Sequence, residues 1–292
     1  MPLETGSDSR LTRGVSVMIF TLNEAVHLPS CLSALSWCDD VIVIDSFSSD
    51  ETEQIVIDYG ARFFCNKFAG FGAQRNWALE HTAPKYDWIL VLDADERVPT
   101  ELAVEMSAIA QADPAGVGAY RVRRRFYMWG RWLKYSSLYP TWVVRFIRRD
   151  QVRYVNRGHA ETQTIDGALL DLENDLIDEN LKGLDEWFER QNRYSRKEAD
   201  YEIASASEPC GIAELISRDP LRHRAALKGV TRAFPFRGAM YFLYAYVLRL
   251  GFLDGWDGLM FCRMRALYQA EVEIKKFDFY RRAQRSSLVE PK

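Results

Sequence analysis

The sequence predicts an α/β protein built on a Rossmann-like, doubly wound sheet. Three apolar runs of strand length, at 15–20, 41–44 and 88–92, are each followed by a polar loop, and a helical pattern comes next. The runs are apolar at consecutive positions, as strands covered on both faces of a sheet are. Strands that alternate with helices in this way form a parallel sheet with right-handed crossovers.

The elements of the first hundred residues repeat one strand, loop and helix pattern. The first strand precedes a helical pattern with apolar positions at Leu28, Leu32 and Leu35. The second ends in the loop 45–50, where Asp50 can cap a helix that begins at Glu51. A third strand at 61–65 precedes a helix at 73–81, and the run at 88–92 is the fourth strand.

The second half predicts a mixed extension of the sheet and then helices. Segments 120–128 and 142–149 are extended with mixed faces, which favours an antiparallel or mixed arrangement. Segments 162–166 and 168–172 flank Gly167 and predict a hairpin. Residues 184–206 have helical periodicity, and the stretch 208–211 ends it. The predicted layout is a disordered lead at 1–13, a catalytic domain at 14–175, a helical extension at 176–232, membrane-associated helices at 233–275 and a tail at 276–292.

The apolar stretch near the C-terminus predicts two short helices at a membrane surface. The run 240–252 is too short for a spanning helix and contains Arg249. It ends in a glycine-containing turn at 251–255. Flanking arginines and aromatic residues are typical of helices that lie in the interface of an anionic leaflet. A buried helical hairpin or a dimer contact is the alternative.

Composition narrows the class of protein. The chain of 292 residues is 48% hydrophobic and 27% charged, with a formal net charge of −3, which argues against a general nucleic-acid binder. Its five cysteines are odd in number and scattered, so neither a disulfide framework nor a zinc site is predicted, and a reducing compartment fits. The polar stretch 1–13 lacks the apolar core of a signal peptide.

Basic residues are concentrated in one segment, although the net charge of the chain is negative. Between Arg121 and Arg157 there are eleven basic residues and a single acid, Asp150, with aromatic residues interleaved. Such a segment predicts a positive surface that attracts phosphate or anionic lipid. The alternative is a set of solvated strand faces whose charges are balanced by acids elsewhere in the fold.

Polar groups gather where the predicted strands end. Asp93 and Asp95 directly follow a buried strand, where two carboxylates are costly unless a cation lies beside them. Ligands of open α/β sheets bind outside the carboxyl ends of the strands, so a metal-bound phosphate is a natural partner for the pair. The alternative is a pair that caps the next helix. The same edge is predicted to carry Thr21, Asn23, Glu24, Asp45 and Ser46, which favours a ligand site.

Four motifs follow one another in the first hundred residues: TLNE at 21–24, DSFSSDET at 45–52, GFGAQRNWAL at 70–79 and LDADE at 92–96. In these motifs and their order the sequence resembles the family 2 glycosyltransferases with a GT-A fold. Further stretches, YPTWVVRFIRR at 139–149, RGHAE at 157–161 and NRYSRKEA at 192–199, are similar to the WaaE/KdtX-like group of lipopolysaccharide-core and exopolysaccharide transferases. The resemblance covers nearly all of residues 14–275.

The resemblance implies transfer of one sugar from a nucleotide-sugar donor, such as UDP-glucose, with inversion at the anomeric carbon. It implies that Asp95 binds Mg²⁺ or Mn²⁺, with Asp93 at a metal or ribose contact. A divalent ion there stabilises the charge on the departing diphosphate. The nucleotide-sugar site that the resemblance implies consists of Thr21, Asn23, Glu24, Asp45, Ser46, Gln74, Arg75, Asn76, Asp93 and Ala94.

On the acceptor side, an inverting displacement needs a carboxylate base opposite the leaving group. Glu161 is the predicted base, and Asp178 and Glu179 are the alternatives. The predicted acceptor-side residues are Trp142, Arg145 and His159, although a lone histidine is more often structural. Lys182 could reach an acceptor phosphate or be a solvated helix end.

The implied acceptor is a lipid-linked saccharide at the cytoplasmic face of the membrane, with the enzyme bound peripherally to an anionic surface. Two other functions stay open. A sugar-phosphate nucleotidyltransferase also places carboxylates at strand ends, but it would carry a glycine-rich phosphate loop after the first strand, where this chain has TLNEAVHLPS. A catalytically inactive membrane scaffold with the same fold would be favoured by a broken aspartate pair, and both aspartates are present.

Overall fold

The computed structural model describes the backbone at residues 14–157, 160–204 and 236–289, and the side chains in those ranges except at 156–161 and 286–289. The described chain divides into two compact units. The sheet unit contains the residues up to Tyr127 together with Pro140–Leu181. The helical unit contains Met128–Tyr139 and the residues from Lys182 onward.

The first half of the sheet unit is the parallel arrangement that the apolar runs predict. Its strands are β1 (Val15–Thr21), β2 (Val41–Asp45), β3 (Arg62–Cys65) and β4 (Trp88–Asp93). They lie in the order β3-β2-β1-β4, and every neighbouring pair is parallel. The intervening helices are α1 (Leu28–Ser33), α2 (Thr52–Tyr59), α3 (Phe71–His81) and α4 (Thr100–Ala112).

Helices cover both faces of these strands, so the predicted doubly wound α/β class is confirmed. On one face Val17, Ile19 and Leu92 pack in a core with residues of α1, α2 and α4. On the other face Met18 and Val91 pack with residues of α3. Alternate residues of each central strand therefore enter opposite cores, which explains why the runs have no polar alternation.

The second half of the sheet unit is mixed, as expected. Beyond β4 the order continues β8-β6-β11-β5, where β5 is Glu96–Arg97, β6 is Val117–Met128, β8 is Thr141–Arg148 and β11 is Ala168–Glu179. Strand β8 is antiparallel to both β4 and β6, whereas β11 is parallel to β6. The two-residue strand β5 runs antiparallel to the end of β11. Strand β7 is Arg131–Trp132, in the helical unit.

The hairpin predicted around Gly167 is wrong. The hairpin that forms joins β9 (Val152–Arg157) to β10 (Ala160–Ile165), while β11 enters the main sheet beside β6. Gly167 instead carries the chain across the start of β6, where the Ala168 N–H donates to the Gly116 carbonyl at 2.8 Å. A Cβ on Gly118 would lie 2.4 Å from the Asp166 carbonyl oxygen. Two backbones approach too closely there for any side chain.

The described part of the helical unit contains α5 (Gly183–Ala204), α6 (Arg237–Phe242), a π-helical turn at Leu243–Leu248, a 3₁₀ turn at Gly251–Asp254 and α7 (Gly255–Val289). The predicted joint at 251–255 is therefore present. Helix α7 continues through 276, where a tail was expected, and β11 continues through the predicted boundary at 175. The predicted helix end at 208–211, and Cys210, lie outside the described residues. No helix in the described part of the chain is long and apolar enough to cross a membrane.

Replacing Gly118 with alanine tests the close crossing of the two backbones. Gly118→Ala is expected to lower the free energy of unfolding by about 3 kcal/mol, the upper range for overpacking, because the opposing atom is a backbone carbonyl. The control is Gly130→Ala, where φ is +72° but no atom lies within 4 Å, so that only the left-handed backbone cost of about 1 kcal/mol applies. Urea denaturation of both variants measures the difference, and equal losses would contradict the steric explanation.

Candidate active site

The carboxyl ends of β1, β2 and β4 lie side by side. Thr21, the last residue of β1, is in register with Asp45 of β2, and Phe20 is in register with Asp93 of β4. Parallel strands deliver their following loops to one sheet edge. The structure therefore brings the predicted strand-end residues together.

Asp45 is a buried hydrogen-bond acceptor for its own loop. Its side chain is 2% exposed. The Thr21 hydroxyl donates to it at 2.7 Å, and the Ser48 N–H and hydroxyl donate at 2.7 and 2.6 Å. The carboxylate that was predicted to contact the nucleotide thus stabilises the loop after β2.

The loops after β1 and β2 are joined to each other. The Asn23 N–H donates to the Ser48 hydroxyl at 2.6 Å, and the Asn23 side-chain oxygen accepts the Ser49 N–H at 2.8 Å. The Glu24 N–H donates to the Thr52 hydroxyl at 2.9 Å. Asn23 adopts a φ of 55°, a conformation that asparagine tolerates better than most residues. A ligand at this edge would meet a loop pair that is already ordered.

Two of the predicted α3 residues brace that helix rather than projecting freely. The Asn66 side-chain amide donates to the Gln74 side-chain oxygen at 2.7 Å, and the Gln74 side-chain nitrogen donates to the Ser46 hydroxyl at 3.3 Å. The Asn76 amide donates to the Tyr154 carbonyl at 2.8 Å and accepts the Tyr154 N–H at 2.9 Å. Asn76 therefore fastens the β9–β10 hairpin to α3.

Arg145 lies at the centre of the site, beside the first aspartate of the pair. Its guanidinium donates to Asp93 and, at 2.7 Å, to Glu96, and only 7% of its side chain is exposed. The Glu96 carboxylate also accepts the Asp93 N–H at 3.0 Å. The acceptor-side role of Arg145 stays a prediction, while its position on β8, next to β4, places its guanidinium on these two carboxylates.

Arg75 is the second cation on Asp93. Its guanidinium donates at 3.2 Å and lies between the rings of Phe20 and Tyr154, with centroids at 5.6 and 5.5 Å. Burial raises the pKa of Asp93, but the Arg145 and Arg75 guanidiniums outweigh it and lower that pKa to about 2. Asp93 is therefore ionised and neutralised by arginines.

Asp95 has the opposite environment. Burial and the carboxylates of Asp178, Asp93, Glu96 and Glu24 all raise its pKa well above the ordinary value, and no cation acts on it strongly enough to offset them. A carboxylate surrounded by other carboxylates is a site where a cation would be stabilised.

The carboxylate of Asp95 fits a Mg²⁺ or Mn²⁺ ion whose other ligands are phosphate oxygens and water. Among the described residues there is no group of three or more histidine, cysteine, aspartate or glutamate side chains arranged to hold a metal. Mg²⁺ and Mn²⁺ at phosphate sites use one or two carboxylates, with the remaining ligands from phosphate oxygens and water. Asp95 satisfies that requirement, and a complete protein cage is not needed.

His27 is a site residue that the sequence reasoning missed. The ring is 1% exposed. Its Nε2 accepts the Leu181 N–H at 2.7 Å, so the ring proton is on Nδ1, which donates to the Glu24 carboxylate at 2.6 Å. The histidine thus links the loop after β1 to the end of β11 and orients Glu24 near Asp95. No motif of the sequence marks it, since its partners are distant in the chain.

The candidate bases have different surroundings. Asp178 accepts a hydrogen bond from Arg124 at 2.9 Å, and Glu179 accepts one from Arg97 at 2.6 Å. Glu161 belongs to β10, where its backbone pairs with Asn156, and its side chain is outside the described part. His159 is outside the described residues altogether. Trp142 lies on β8 under the guanidiniums of Arg121 and Arg123, at 5.3 and 5.5 Å.

The basic segment is largely neutralised, which favours the alternative of balanced strand faces. Arg121, Arg123 and Arg125 on β6 pair with Asp171 and Asp175 on the parallel neighbour β11. Arg148 pairs with Asp113 at 2.8 Å. Local sequence could not show this, because the acids come from other elements.

Comparisons with known proteins agree with these observations. A family model described as Glycosyl transferase family 2 matches residues 16–165. The lipopolysaccharide core biosynthesis glycosyltransferase LpsC of Rhizobium meliloti is 30% identical over 213 residues, which cover 67% of this chain and 74% of that protein. An uncharacterized glycosyltransferase of Rickettsia bellii is 37% identical over 100 residues, which are 34% of this chain and 33% of that one.

Two solved structures are similar to this chain at low sequence identity. TarS residues 1–349 from S. aureus has a TM-score of 0.41 and 14% identity, covering 86% of this chain and 90% of that one. Glucosyl-3-phosphoglycerate synthase from Mycobacterium tuberculosis, in complex with Mn²⁺, UDP and glucosyl-3-phosphoglycerate, has a TM-score of 0.40 and 19% identity, covering 62% and 77%.

Removal of Arg145 tests its position between two carboxylates. Arg145→Met is expected to lower the free energy of unfolding by about 3 to 5 kcal/mol, because buried Glu96 loses its nearest cation. The double variant Arg145→Met/Glu96→Gln should be more stable than the single variant, since the uncompensated charge is removed.

The matched control is Arg121→Met on the neighbouring strand. Arg121 forms a similar arginine–aspartate pair with Asp171, but both side chains are more than 40% exposed. Its loss should cost less than about 1 kcal/mol. Urea denaturation compares the variants, and similar losses from both arginines would refute the importance of the buried pair.

Proposed function

Because the chain belongs to glycosyltransferase family 2, we propose that it moves one sugar from a nucleotide-sugar donor to a hydroxyl of a lipid-linked saccharide. The proposed donor is a UDP-hexose such as UDP-glucose, and transfer inverts the anomeric carbon. The proposed pathway is bacterial cell-surface polysaccharide or lipopolysaccharide-core synthesis, which the name of the Rhizobium meliloti relative supports. The proposed location is the cytoplasmic face of the membrane.

The observation that carries the proposal is the contrast between Asp93 and Asp95. Two arginines neutralise Asp93, while carboxylates surround Asp95 and raise its pKa. A site with this charge pattern suits a ligand made of a cation and a diphosphate. Asp95 would hold the cation, and the arginines on Asp93 would supply positive charge beside the diphosphate.

In this hypothesis Asp95 holds a Mg²⁺ or Mn²⁺ ion, which stabilises the negative charge that develops on the departing diphosphate. Asp93 keeps Arg75 and Arg145 at fixed positions beside that charge. The ordered loops after β1 and β2 bind the nucleoside, and His27 fixes the direction of Glu24. Binding energy is then not lost in ordering the loops.

Glu161 stays the proposed base that takes the proton from the acceptor hydroxyl. It is the second residue of β10, and the hairpin that carries it is attached to α3 by Asn76. Asp178 and Glu179 are weaker candidates, because each already accepts a hydrogen bond from an arginine. A base needs an oxygen available for the hydroxyl proton.

Donor hydrolysis tests the metal and the transfer chemistry. Hydrolysis of UDP-sugars by the wild type is expected to require Mn²⁺ or Mg²⁺. Asp95→Ala should reduce it at least about 100-fold, as the loss of one stabilising group in a transition state does. Asp171→Ala, at an exposed ion pair on β11, is the control that should retain activity.

Each outcome of that assay separates the hypotheses. Activity without metal, unchanged in Asp95→Ala, would reject the metal assignment. Formation of nucleotide sugars from sugar phosphate and UTP would favour the nucleotidyltransferase. Nucleotide binding without turnover of any donor would favour an inactive scaffold.

Substitution of Glu161 tests the base. Glu161→Gln should reduce sugar transfer by about 10²- to 10⁴-fold, the contribution of a positioned base. The affinity for UDP, measured by calorimetry, should stay unchanged, because the base contacts the acceptor. Asp178→Asn and Glu179→Gln are the comparison variants. Transfer that survives in Glu161→Gln and is lost in one of these would move the base to that residue.

A further inference from the structure

An exposed apolar surface covers one side of the helical unit. Six large apolar side chains are exposed there, from the residue that precedes α6, the π-helical turn, the 3₁₀ turn and the start of α7. Three of them, Phe236, Leu248 and Trp256, are 75%, 70% and 71% exposed. Large apolar patches on a protein surface mark interaction sites. We call this the apolar helical surface, defined by Phe236, Leu243, Leu248, Phe252, Leu253 and Trp256.

Two residues in this region have unusual backbone conformations, and a carboxylate fixes the start of α6. Phe236 and Leu250 adopt left-handed conformations, with φ of 67° and 61°, which are unusual for large apolar residues. The Glu273 carboxylate accepts the N–H groups of Phe236 and Arg237, at 3.2 and 3.1 Å, and so fixes the start of α6. Strained conformations persist where the surrounding structure imposes them, and they are common at functional sites.

Tight packing of the 3₁₀ turn adds rigidity. A Cβ on Gly251 would lie 2.7 Å from the Ala245 carbonyl oxygen, and one on Gly258 would lie 2.4 Å from the Gly251 carbonyl oxygen. The turn that carries Phe252 and Leu253 therefore rests directly on the backbone of its neighbours. The apolar side chains are presented by a fixed scaffold.

Behind this surface the helical unit contains buried polar groups. The Arg237 guanidinium donates to Glu202 at 2.7 Å, and Lys276 donates to the other oxygen of Glu202 at 2.9 Å. The Asp254 carboxylate accepts the N–H and the hydroxyl of Ser136, both at 2.7 Å. The helical unit therefore buries charged groups beside its apolar core, while the six large apolar side chains stay exposed, which is unfavourable toward water.

Exposed arginines lie on and beside the surface. Residues 236–253 contain no aspartate or glutamate, and of the two acids that follow, Asp254 is buried and Asp257 pairs with Arg131 at 3.6 Å. Arg249 is exposed between Leu248 and Leu250, and Arg263 is exposed on the following helix. Tyr241, Tyr244 and Tyr246 add amphipathic rings. Large apolar side chains combined with arginine and tyrosine suit the boundary between anionic headgroups and acyl chains.

We propose that the apolar helical surface docks onto an anionic lipid bilayer. The six side chains enter the headgroup and upper acyl region, and Arg249 contacts lipid phosphate. The docking is inferred from the surface alone, while its purpose, access to a lipid-linked acceptor, rests on the proposed function. A second copy of the chain fits less well, because the arginines of the two copies would face each other.

Vesicle binding by the full chain tests this proposal. Co-sedimentation is measured with vesicles of phosphatidylcholine and phosphatidylglycerol, and with vesicles of phosphatidylcholine alone. The mixed vesicles should bind the protein more tightly, and added salt should weaken binding. The variant Leu248→Ser/Phe252→Ser/Trp256→Ser should lower the partition constant at least about tenfold, because three apolar side chains no longer enter the lipid. Arg249→Gln should lower it about fivefold on the anionic vesicles only.

The matched control makes the same change in the sheet unit. Ile57 and Val104 are 54% and 64% exposed, so Ile57→Ser/Val104→Ser removes exposed apolar side chains that lie outside the apolar helical surface and should leave vesicle binding intact. Circular dichroism and thermal unfolding of all variants establish that they are folded. Donor hydrolysis should be unchanged in the triple variant, so a failure of docking is distinguished from a failure of the sugar chemistry.

Two results would overturn the proposal. The first is equal vesicle binding by the wild type and the triple variant. The second is an absence of vesicle binding together with a concentration-dependent dimer that the triple variant loses, which light scattering would detect. That second result would assign the surface to self-association.

Discussion

The buried guanidinium of Arg145 is the interaction on which the rest of the site depends. It lies on β8, the strand where the sheet changes from parallel to mixed, and it joins the carboxylates of Asp93 and Glu96. Without a cation these two groups would repel each other at the end of β4. With it, their charge is compensated, whereas burial and neighbouring carboxylates raise the pKa of Asp95. One buried ion-pair centre thus neutralises the end of β4.

The parallel half of the fold could be predicted from the sequence because burial on both faces leaves a local signature. The runs at β1, β2 and β4 are apolar at consecutive positions apart from Ser16, and their loops follow at once. The mixed half leaves no such signature. Pairing of β11 with β6 depends on a crossing at Gly118 and Gly167, and a local pattern around Gly167 looks the same as a hairpin. Strand partners are chosen by contacts that sequence neighbours do not reveal.

The residues of the site fall into the same two groups, those that the sequence could place and those that it could not. Strand-end residues such as Thr21, Asp45 and Asp93 could be placed together, because topology alone carries them to one edge. Their partners could not. Arg145 and His27 act through residues about fifty and more than 150 positions away, and no spacing rule connects such residues. The acids that neutralise the basic segment could not be identified for the same reason. They lie on the neighbouring strand and form ion pairs with its arginines, which compensates much of the positive charge.

The joint between Asn76 and Tyr154 has a consequence for how such a protein can diversify. The Asn76 amide donates to one backbone atom of the hairpin and accepts from another, so neither hydrogen bond depends on the identity of a hairpin side chain. The attachment to α3 is therefore kept when exposed hairpin side chains such as Val155 are exchanged, whereas Val152 and Tyr154 are buried in the core beside α3. Exchange at the exposed positions alone would change the surface of the hairpin without loosening its attachment.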